Sequence, residues 1–396
     1  MKYIKLGDIS SIATGPFGSQ LHQSDYSEMG TPVVMPKDLL NGSIVEEGIA
    51  RVSEDHVHRL KRHILHTGNI VYARRGDVGR CAYVSNKEDG WLCGTGCFKV
   101  EIDTQKALPK FVFFQCQDSG IVEWIKNRAI GATLPNLNTS IISRVPIFLP
   151  PFITQQKIAS ILSAYDFQIE KNQKRIKLLE QMAENLYKEW FVRFRFPGYE
   201  TAEFEGGMPK GWISQAGDNR KPKGWTYGEL NQLGTFSRGK NITSAEMIEG
   251  QVPVISAGLE PSGYHNQSNV SGPCLTISSS GANAGYLKYN LTDIWAADCS
   301  YYNNLDNIWF VYSSLKYLQP VISNLQCGAA QPHVYPKDVN RLCVILPPKG
   351  LIAEYNKQCS LIFKAIHNLN NQISLHTHQR DLLLPRLMSG KLDVTV

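Results

Sequence analysis

Pro150-Pro151-Phe152-Ile153-Thr154-Gln155-Gln156-Lys157-Ile158-Ala159-Ser160-Ile161-Leu162 begins a stretch that reaches Phe196 without another Gly or Pro. Apolar or aromatic residues fall at Ile158, Leu162, Tyr165, Ile169, Ile176, Leu179, Ala183, Leu186 and Trp190, with Asn172 in the one polar slot. The spacing alternates four, three, four, three, which is the a/d seam of a coiled coil carried over about four heptads. A helix of this length spans roughly 60 Å at 1.5 Å per residue, too long for an ordinary core helix. It reads as a spacer. Taken alone, the run also fits a long amphipathic helix lying on a globular domain.

A second copy decides between the two. After Pro347-Pro348 the seam recurs at Tyr355, Cys359, Ile362, Ile366, Leu369, Ile373, His376, Arg380, Leu383 and Leu387. Each position lies 197 residues after its counterpart, from Ile158 and Tyr355 to Trp190 and Leu387. The polar slot is not shared: Leu369 answers Asn172, while His376 and Arg380 answer Leu179 and Ala183. Two helices in one chain, each with an apolar stripe, bury those stripes most simply against each other.

The segments ahead of the helices repeat as well. Leu6-Gly7-Asp8-Ile9 is answered by Tyr227-Gly228-Glu229-Leu230 and Pro32-Val33-Val34 by Pro253-Val254-Ile255, both 221 residues on; Gly76 is answered by Gly281, 205 on. From Gly131-Ala132 and Gly328-Ala329 onward the offset settles at 197. The chain is one unit written twice, globule then long helix. The second globule is 24 residues shorter, since the offset falls from 221 to 197. Within the first globule, Pro32–Met35, Ile70–Ala73, Cys81–Val84 and Val145–Leu149 read as strands, and Lys110–Gln117 and Gly120–Arg128 as short helices. The expected domains are 1–149, a long helix 150–196, a Gly/Pro/Lys-rich linker 197–224, a second globule 225–346 and a second long helix 347–390.

Composition bounds the rest. At 396 residues, 42% hydrophobic and 19% charged, the chain is an ordinary globular one of two to three domains. It has no run of about eighteen apolar residues, so no transmembrane helix is expected, and no apolar signal segment follows Met1. Nine cysteines without a dense framework read as reduced thiols, which points to the cytoplasm. The net charge of +6 permits a polyanion partner.

No catalytic kit stands out. No Gly-x-x-x-x-Gly-Lys-Ser/Thr occurs, and Ser278–Gly285 is too loose for a dinucleotide fingerprint. Leu-Pro-Pro-Phe and Leu-Pro-Pro-Lys lack the preceding Asp or Asn of an amino-methyltransferase loop and read as helix-start punctuation. Cys93 and Cys97, downstream of His56, His58, His63 and His66, have the wrong spacing for a zinc ribbon or finger, so no metal is expected. No Ser/His/Asp, Cys/His or paired-carboxylate arrangement repeats, so no catalytic residues are assigned. Binding remains. Arg74, Arg75 and Arg80, bracketed by Gly76 and Gly79, suit close approach to DNA, because a guanidinium bonds bidentately to guanine or to phosphate. A surface turn with salt-bridged arginines fits the same loop.

Taken in order, Leu6–Ile9, Thr14-Gly15-Pro16-Phe17-Gly18-Ser19, Arg75-Gly76-Asp77-Val78-Gly79-Arg80, Cys93-Gly94-Thr95-Gly96-Cys97 and Gln379-Arg380-Asp381-Leu382-Leu383-Leu384-Pro385-Arg386-Leu387-Met388-Ser389-Gly390, with the duplication, give a specific pattern. Over essentially its full length the chain resembles the specificity subunits of type I restriction-modification systems. The resemblance implies an α+β fold: two globular target-recognition domains separated by two long helices packed as an antiparallel coiled coil, in a pseudo-two-fold internal repeat. Each domain would read one half of a split double-stranded DNA site, and the helices would set the spacing. Two methyltransferase (modification) subunits would dock on the chain, bringing S-adenosylmethionine. Restriction (translocase-nuclease) subunits would join through them with ATP and Mg2+, and the chain itself would hold no cofactor. The alternative is a self-contained methyltransferase or nuclease with fused recognition domains.

The candidate DNA contacts are Gly15, Phe17, Ser19, Arg74, Arg75, Asp77, Arg80, Thr95, Thr133 and Asn136 in the first half, and Lys240, Ser279, Asn283, Gln331 and His333 in the second. The second half departs from the family pattern where Ser279-Ser280-Gly281-Ala282-Asn283 lacks arginines. The candidate seam is Ile158, Leu162, Tyr165, Ile169, Asn172, Ile176 and Leu179 against Ile362, Ile366, Leu369, Ile373 and Leu383.

Overall fold

The structure is a computed structural model that describes residues 3–17, 20–129, 136–206, 220–325, 332–392 and 394. The chain forms two compact units, one of Met1–Glu170 with Ile373–Val396, the other of Lys171–Gln372. Two long helices, α1 (Phe152–Tyr187) and α2 (Lys349–Met388), each contribute to both units.

The first unit is built on a four-stranded antiparallel sheet: β1 (Ser10–Thr14), β2 (Ile70–Ala73), β3 (Cys81–Tyr83) and β4 (Cys97–Ile102), in the order β1-β4-β2-β3. β2 is buried at every position, so its unbroken apolar run reflects cover on both faces. On one side Tyr72, Phe98 and Val100 join Phe111, Val112 and Phe114 of the helix Pro109–Gln117. The other side carries Val71, Ala73, Cys93 and Cys97 in a separate apolar cluster. A second sheet holds Thr31–Val34 between Leu92–Cys93 (parallel) and Ala50–Val52 (antiparallel). Tyr3–Lys5 pairs with Pro146–Phe148, so the two ends of the globule meet just before α1 begins.

The second unit repeats the plan. Its main sheet, β5 (Ser237–Arg238), β6 (Cys274–Ser278), β7 (Leu287–Asn290) and β8 (Cys299–Tyr302), has the order β5-β8-β6-β7, the first unit's order restated. Val252–Ile255 again lies between a parallel and an antiparallel neighbour, and Thr226–Glu229 pairs with Cys343–Leu346.

The helices run antiparallel in each unit. In the first, Ile158 and Leu162 share a core with Leu384 and Leu387, and Asp166 meets Arg380 at 2.9 Å. In the second, Asn172 Nδ2 donates to Gln372 Oε1 at 3.1 Å, and Tyr355 Oη donates to the carbonyl of Ala183 at 3.1 Å. Of the candidate seam, Ile158, Leu162, Asn172, Ile366 and Leu369 are buried. Tyr165, Ile169, Ile176, Leu179, Ile362, Ile373 and Leu383 are half-buried. A two-helix seam leaves its flanks wet, and the apolar positions are covered most completely where a globule adds a third layer. For that reason Phe363 and Leu384, one residue beyond the seam, are buried too. Burying an aliphatic side chain contributes about 1.5–3 kcal/mol, so the seam ends carry much of the attachment.

Two stretches differ from the sequence expectation. The first long helix does not stay α-helical to Phe196: it leaves α geometry after Tyr187 and makes a single π turn, Lys188–Val192. Trp190, Phe191 and Val192 of this turn are all buried in the second core. Within the expected linker, Phe204–Gly206 pairs antiparallel with Arg220–Pro222, with ion pairs Lys221–Glu205 and Lys223–Glu203.

Asn172 is 3% exposed and Gln372 is exposed. Gln372→Leu strands the buried amide and is expected to cost about 1–3 kcal/mol, whereas Asn172→Leu removes it and should cost less or stabilise. Equal losses in thermal denaturation would sink the account of a buried amide held by one partner.

Candidate nucleic-acid interface

Antiparallel register sends three loops to one end of the first sheet. Thr14, the last residue of β1, lies opposite Phe98, while Ala73, the last of β2, lies opposite Cys97, the first of β4. The segments 15–17, 74–80 and 94–96 therefore leave the same end. Hydrogen bonds then tie them together. Arg74 N donates to Gly96 O at 2.7 Å, Gly15 N to Cys97 O at 2.9 Å, and Thr95 Oγ1 to Pro16 O at 2.9 Å. Leu137 N donates to Arg74 O at 2.9 Å, and Arg75 bridges Asn136, which brings Asn136 and Leu137 to the same end. Gly15 is obligatory, since a Cβ there would lie 1.9 Å from the carbonyl oxygen of Gly94.

The side chains at this end sort into three kinds. Phe17 stands 51% exposed, and the Arg74 guanidinium lies 5.5 Å from its ring centroid and 6.0 Å from that of Phe98. Arg74 Nε also donates to Leu137 O, so this arginine is packed and oriented. Arg75 and Arg80 are exposed. Asp77 is spent on Arg80, 2.6 Å away, so its carboxylate holds an arginine. Thr95 and Asn136 are half-buried, with the Asn136 Oδ1 enclosed and unbonded among the described residues. Ser19, Thr133 and Gln331 lie outside the described residues.

The second unit repeats the backbone bonds and changes the side chains. Gly239 N donates to Cys299 O, Ser279 N to Asp298 O and Val334 N to Ser279 O, and Ser280 bridges His333. These match the bonds of Gly15, Arg74, Leu137 and Arg75 one for one. Ser279 thus stands where Arg74 does, but it is 1% exposed and its hydroxyl is unbonded among the described residues. Its side chain does not reach the surface. Asn283 is half-buried in the turn Gly281–Asn283. The His333 ring stacks on Tyr335. Lys240 is exposed, its backbone pinned by Ala296 O and Trp295 Nε1. Sequence reasoning missed Arg238, exposed at the end of β5 and paired with Asp298 at 3.1 Å. The available signal was Gly239, but it answers Gly15 at an offset of 224, three more than the flanking strands.

Other clusters have structural explanations. Ser53 Oγ lies 2.8 Å from His56 Nδ1, and His56 Nε2 lies 3.4 Å from Asp25, an order that resembles an acyl-transfer triad. Ser53 is the N-cap of the helix Glu54–Arg59, and Asp25 is shared with Arg59. The Asp25 carboxyl is held below its usual range first by the His22 N–H, then by His56 and Arg59, so the set pins a helix to a turn. Cys93 and Cys97 are core residues, and burial pushes the Cys93 thiol up to about 12. In the second unit a cavity of about 720 Å3 lies against Lys177, Tyr289, Tyr312 and Lys316. Of its carboxylates, Glu180 accepts from the Tyr289 hydroxyl and Glu184 pairs with Lys188.

Comparison with known proteins bears on both units. The profile of the type I restriction modification DNA specificity domain matches residues 1–181 and again 222–384. The chain is similar to the type I restriction enzyme MjaIX specificity subunit of Methanocaldococcus jannaschii, at 26% identity over 98% of this chain and 93% of that protein. It is 25% identical to the HindI specificity subunit of Haemophilus influenzae over 99% of each. Among solved structures, a type I restriction-modification S subunit from M. genitalium shares the fold, with a TM-score of 0.58 and 18% identity over 98% of this chain and 95% of that one.

Gly15→Ala forces backbone apart and is expected to cost about 2–4 kcal/mol. Gly76→Ala, where a Cβ meets open space at φ +75°, should cost about 1 kcal/mol. Similar denaturation midpoints for the two variants would contradict the close approach of the loops.

Proposed function

The chain belongs to the type I restriction-modification DNA specificity family, and we propose that each unit reads one half of a bipartite duplex site with the loop end of its main sheet. Membership implies a non-catalytic role for the chain, whose relatives are specificity subunits. The observation that carries the reading is the same loop-end hydrogen-bond frame built twice and furnished differently: Phe17, Arg74 and Arg75 on one, Lys240, Arg238 and His333 on the other. A shared frame with divergent tips is what two half-sites of different sequence require. Arg75 and Lys240, exposed beside pinned backbone, suit phosphate and base edges, while Phe17 and His333 offer flat apolar contact.

Methyl transfer and cleavage belong to partners in this reading. Two methyltransferase subunits supply S-adenosylmethionine, and restriction subunits supply ATP- and Mg2+-dependent translocation and cleavage. The outer faces of the helices support docking. Leu361, Leu375 and Leu382 are exposed at heptad spacing on α2, and Phe167, Leu178 and Met182 are exposed on α1 at spacings of eleven and four. No described helix is long and apolar enough to cross a membrane. The cytoplasm, where duplex DNA and such partners meet, is the assigned compartment. The length of α1, about 54 Å at 1.5 Å per residue, is read as the element on which half-site spacing depends.

Exchanging residues 1–149 for the same segment of a relative, with methylated positions sequenced in cells, should alter one half of the motif and keep the other. Change in both halves, or in neither, would refute one head per half-site, and methylation by the purified chain with cofactor alone would favour a self-contained enzyme. Leu361→Ser, Leu375→Ser and Leu382→Ser together should reduce co-purification of the modification subunit at least tenfold with the thermal midpoint kept. A seven-residue insertion in α1 should shift the preferred spacer or abolish modification, and an unchanged spacer would count against the helix as its determinant.

A further inference from the structure

The first unit carries its fixed cation on Arg74, but the structural counterpart, Ser279, is neutral and buried. Three other positions change in concert. Arg238 stands where Thr14 does, since each is paired across its sheet with the residue after the loop-end cysteine: Thr14 opposite Phe98, Arg238 opposite Ser300. Asp298 takes the place of Gly96, and Ser280 that of Arg75. The new residues are joined. Arg238 Nη2 lies 3.1 Å from Asp298 Oδ1, and Asp298 Oδ2 accepts the Ser280 hydroxyl. The cation has moved two strands over, to the far side of β8, and acquired a holder.

The geometry points to Arg238 as the guanine-reading residue of the second unit, with Asp298 and Ser280 as positioning residues. This rests on the reading that the second unit binds half of a DNA site. Asp298 takes one arm of a planar five-donor fork and fixes its plane. Nε and Nη1 have no protein acceptor among the described residues, and the side chain is 45% exposed. A carboxylate partner also neutralises much of the charge, which weakens attraction to phosphate but leaves directional N–H donors for guanine O6 and N7. The exposed Lys240 nearby makes no ion pair within 4 Å among the described residues and suits the phosphate.

The test uses the complete complex, in which the chain is expressed with its modification subunits and the methylated motif is read by sequencing. Binding is then measured to that duplex and to duplexes changed one base pair at a time. Arg238→Ala and Arg238→Lys should each lose about 10- to 100-fold discrimination at one G·C pair of the second half, with the first half unchanged. Asp298→Asn should lose part of the same discrimination while the thermal midpoint holds. Lysine keeps the stem and the charge but not the fork, so a fold defect in the alanine variant leaves the test intact. Undiminished discrimination throughout the second half in Arg238→Ala would overturn the assignment. So would a base-independent loss with a salt slope reduced by about one, restored by lysine, which marks a phosphate contact. If the unaltered complex methylates no bipartite motif, the fault lies with the underlying reading and not with Arg238.

Discussion

Apolar stripes on two very long helices cannot face water, and the rest of the molecule is arranged around covering them. Each helix supplies one segment to each unit, so each core takes its long-helix packing from both sequence repeats. At the ends, the globules complete the cover: Ile158, Leu162, Leu384 and Leu387 are buried in one core, and Ala183, Trp190, Tyr355 and Phe363 in the other. Between those ends several seam positions, Tyr165, Ile169, Ile176 and Ile373 among them, are only half covered, and polar contacts are found there. Asp166 with Arg380, and Asn172 with Gln372, add direction where apolar packing would tolerate a slip of a turn.

The second constraint is antiparallel register. It gathers the ends of β1 and β2 with the start of β4 at one edge of the first sheet, and it does the same for β5, β6 and β8. The bonds joining these loops are almost wholly between backbone groups. Backbone bonds do not depend on side-chain identity, so the frame persists while its tips change. The glycines mark where two backbones come closest, at Gly15 against Gly94 and Gly239 against Ala296. Frame and loop tips are thus chemically separate parts, and that separation lets the tips diverge at little cost to stability.

The two units also show different ways of holding a guanidinium. In the first, aromatic rings and a carbonyl orient Arg74 without reducing its charge. In the second, a carboxylate shared with a serine orients Arg238 and screens it. The first arrangement keeps more long-range attraction for a polyanion, and the second keeps more directionality.

Much of this was legible in residue order. Heptad spacing fixed the long helices, and the 197-residue offset fixed the repeat, because both follow from periodic burial that any homogeneous helix or doubled unit must show. Strands such as Ile70–Ala73 and helices such as Pro109–Gln117 were visible for the same reason. The loop candidates were legible only as loops. Ser279 looks like a surface residue in sequence but is enclosed by its neighbours, and Asp77 looks like a reader but is spent on Arg80. Arg238 escaped notice because a three-residue insertion displaced it from the repeat offset. Periodicity is local and survives in one dimension. Which tips meet, which hydroxyl is covered and which carboxylate is already taken depend on strand register and long-range packing, and those only the tertiary structure decided.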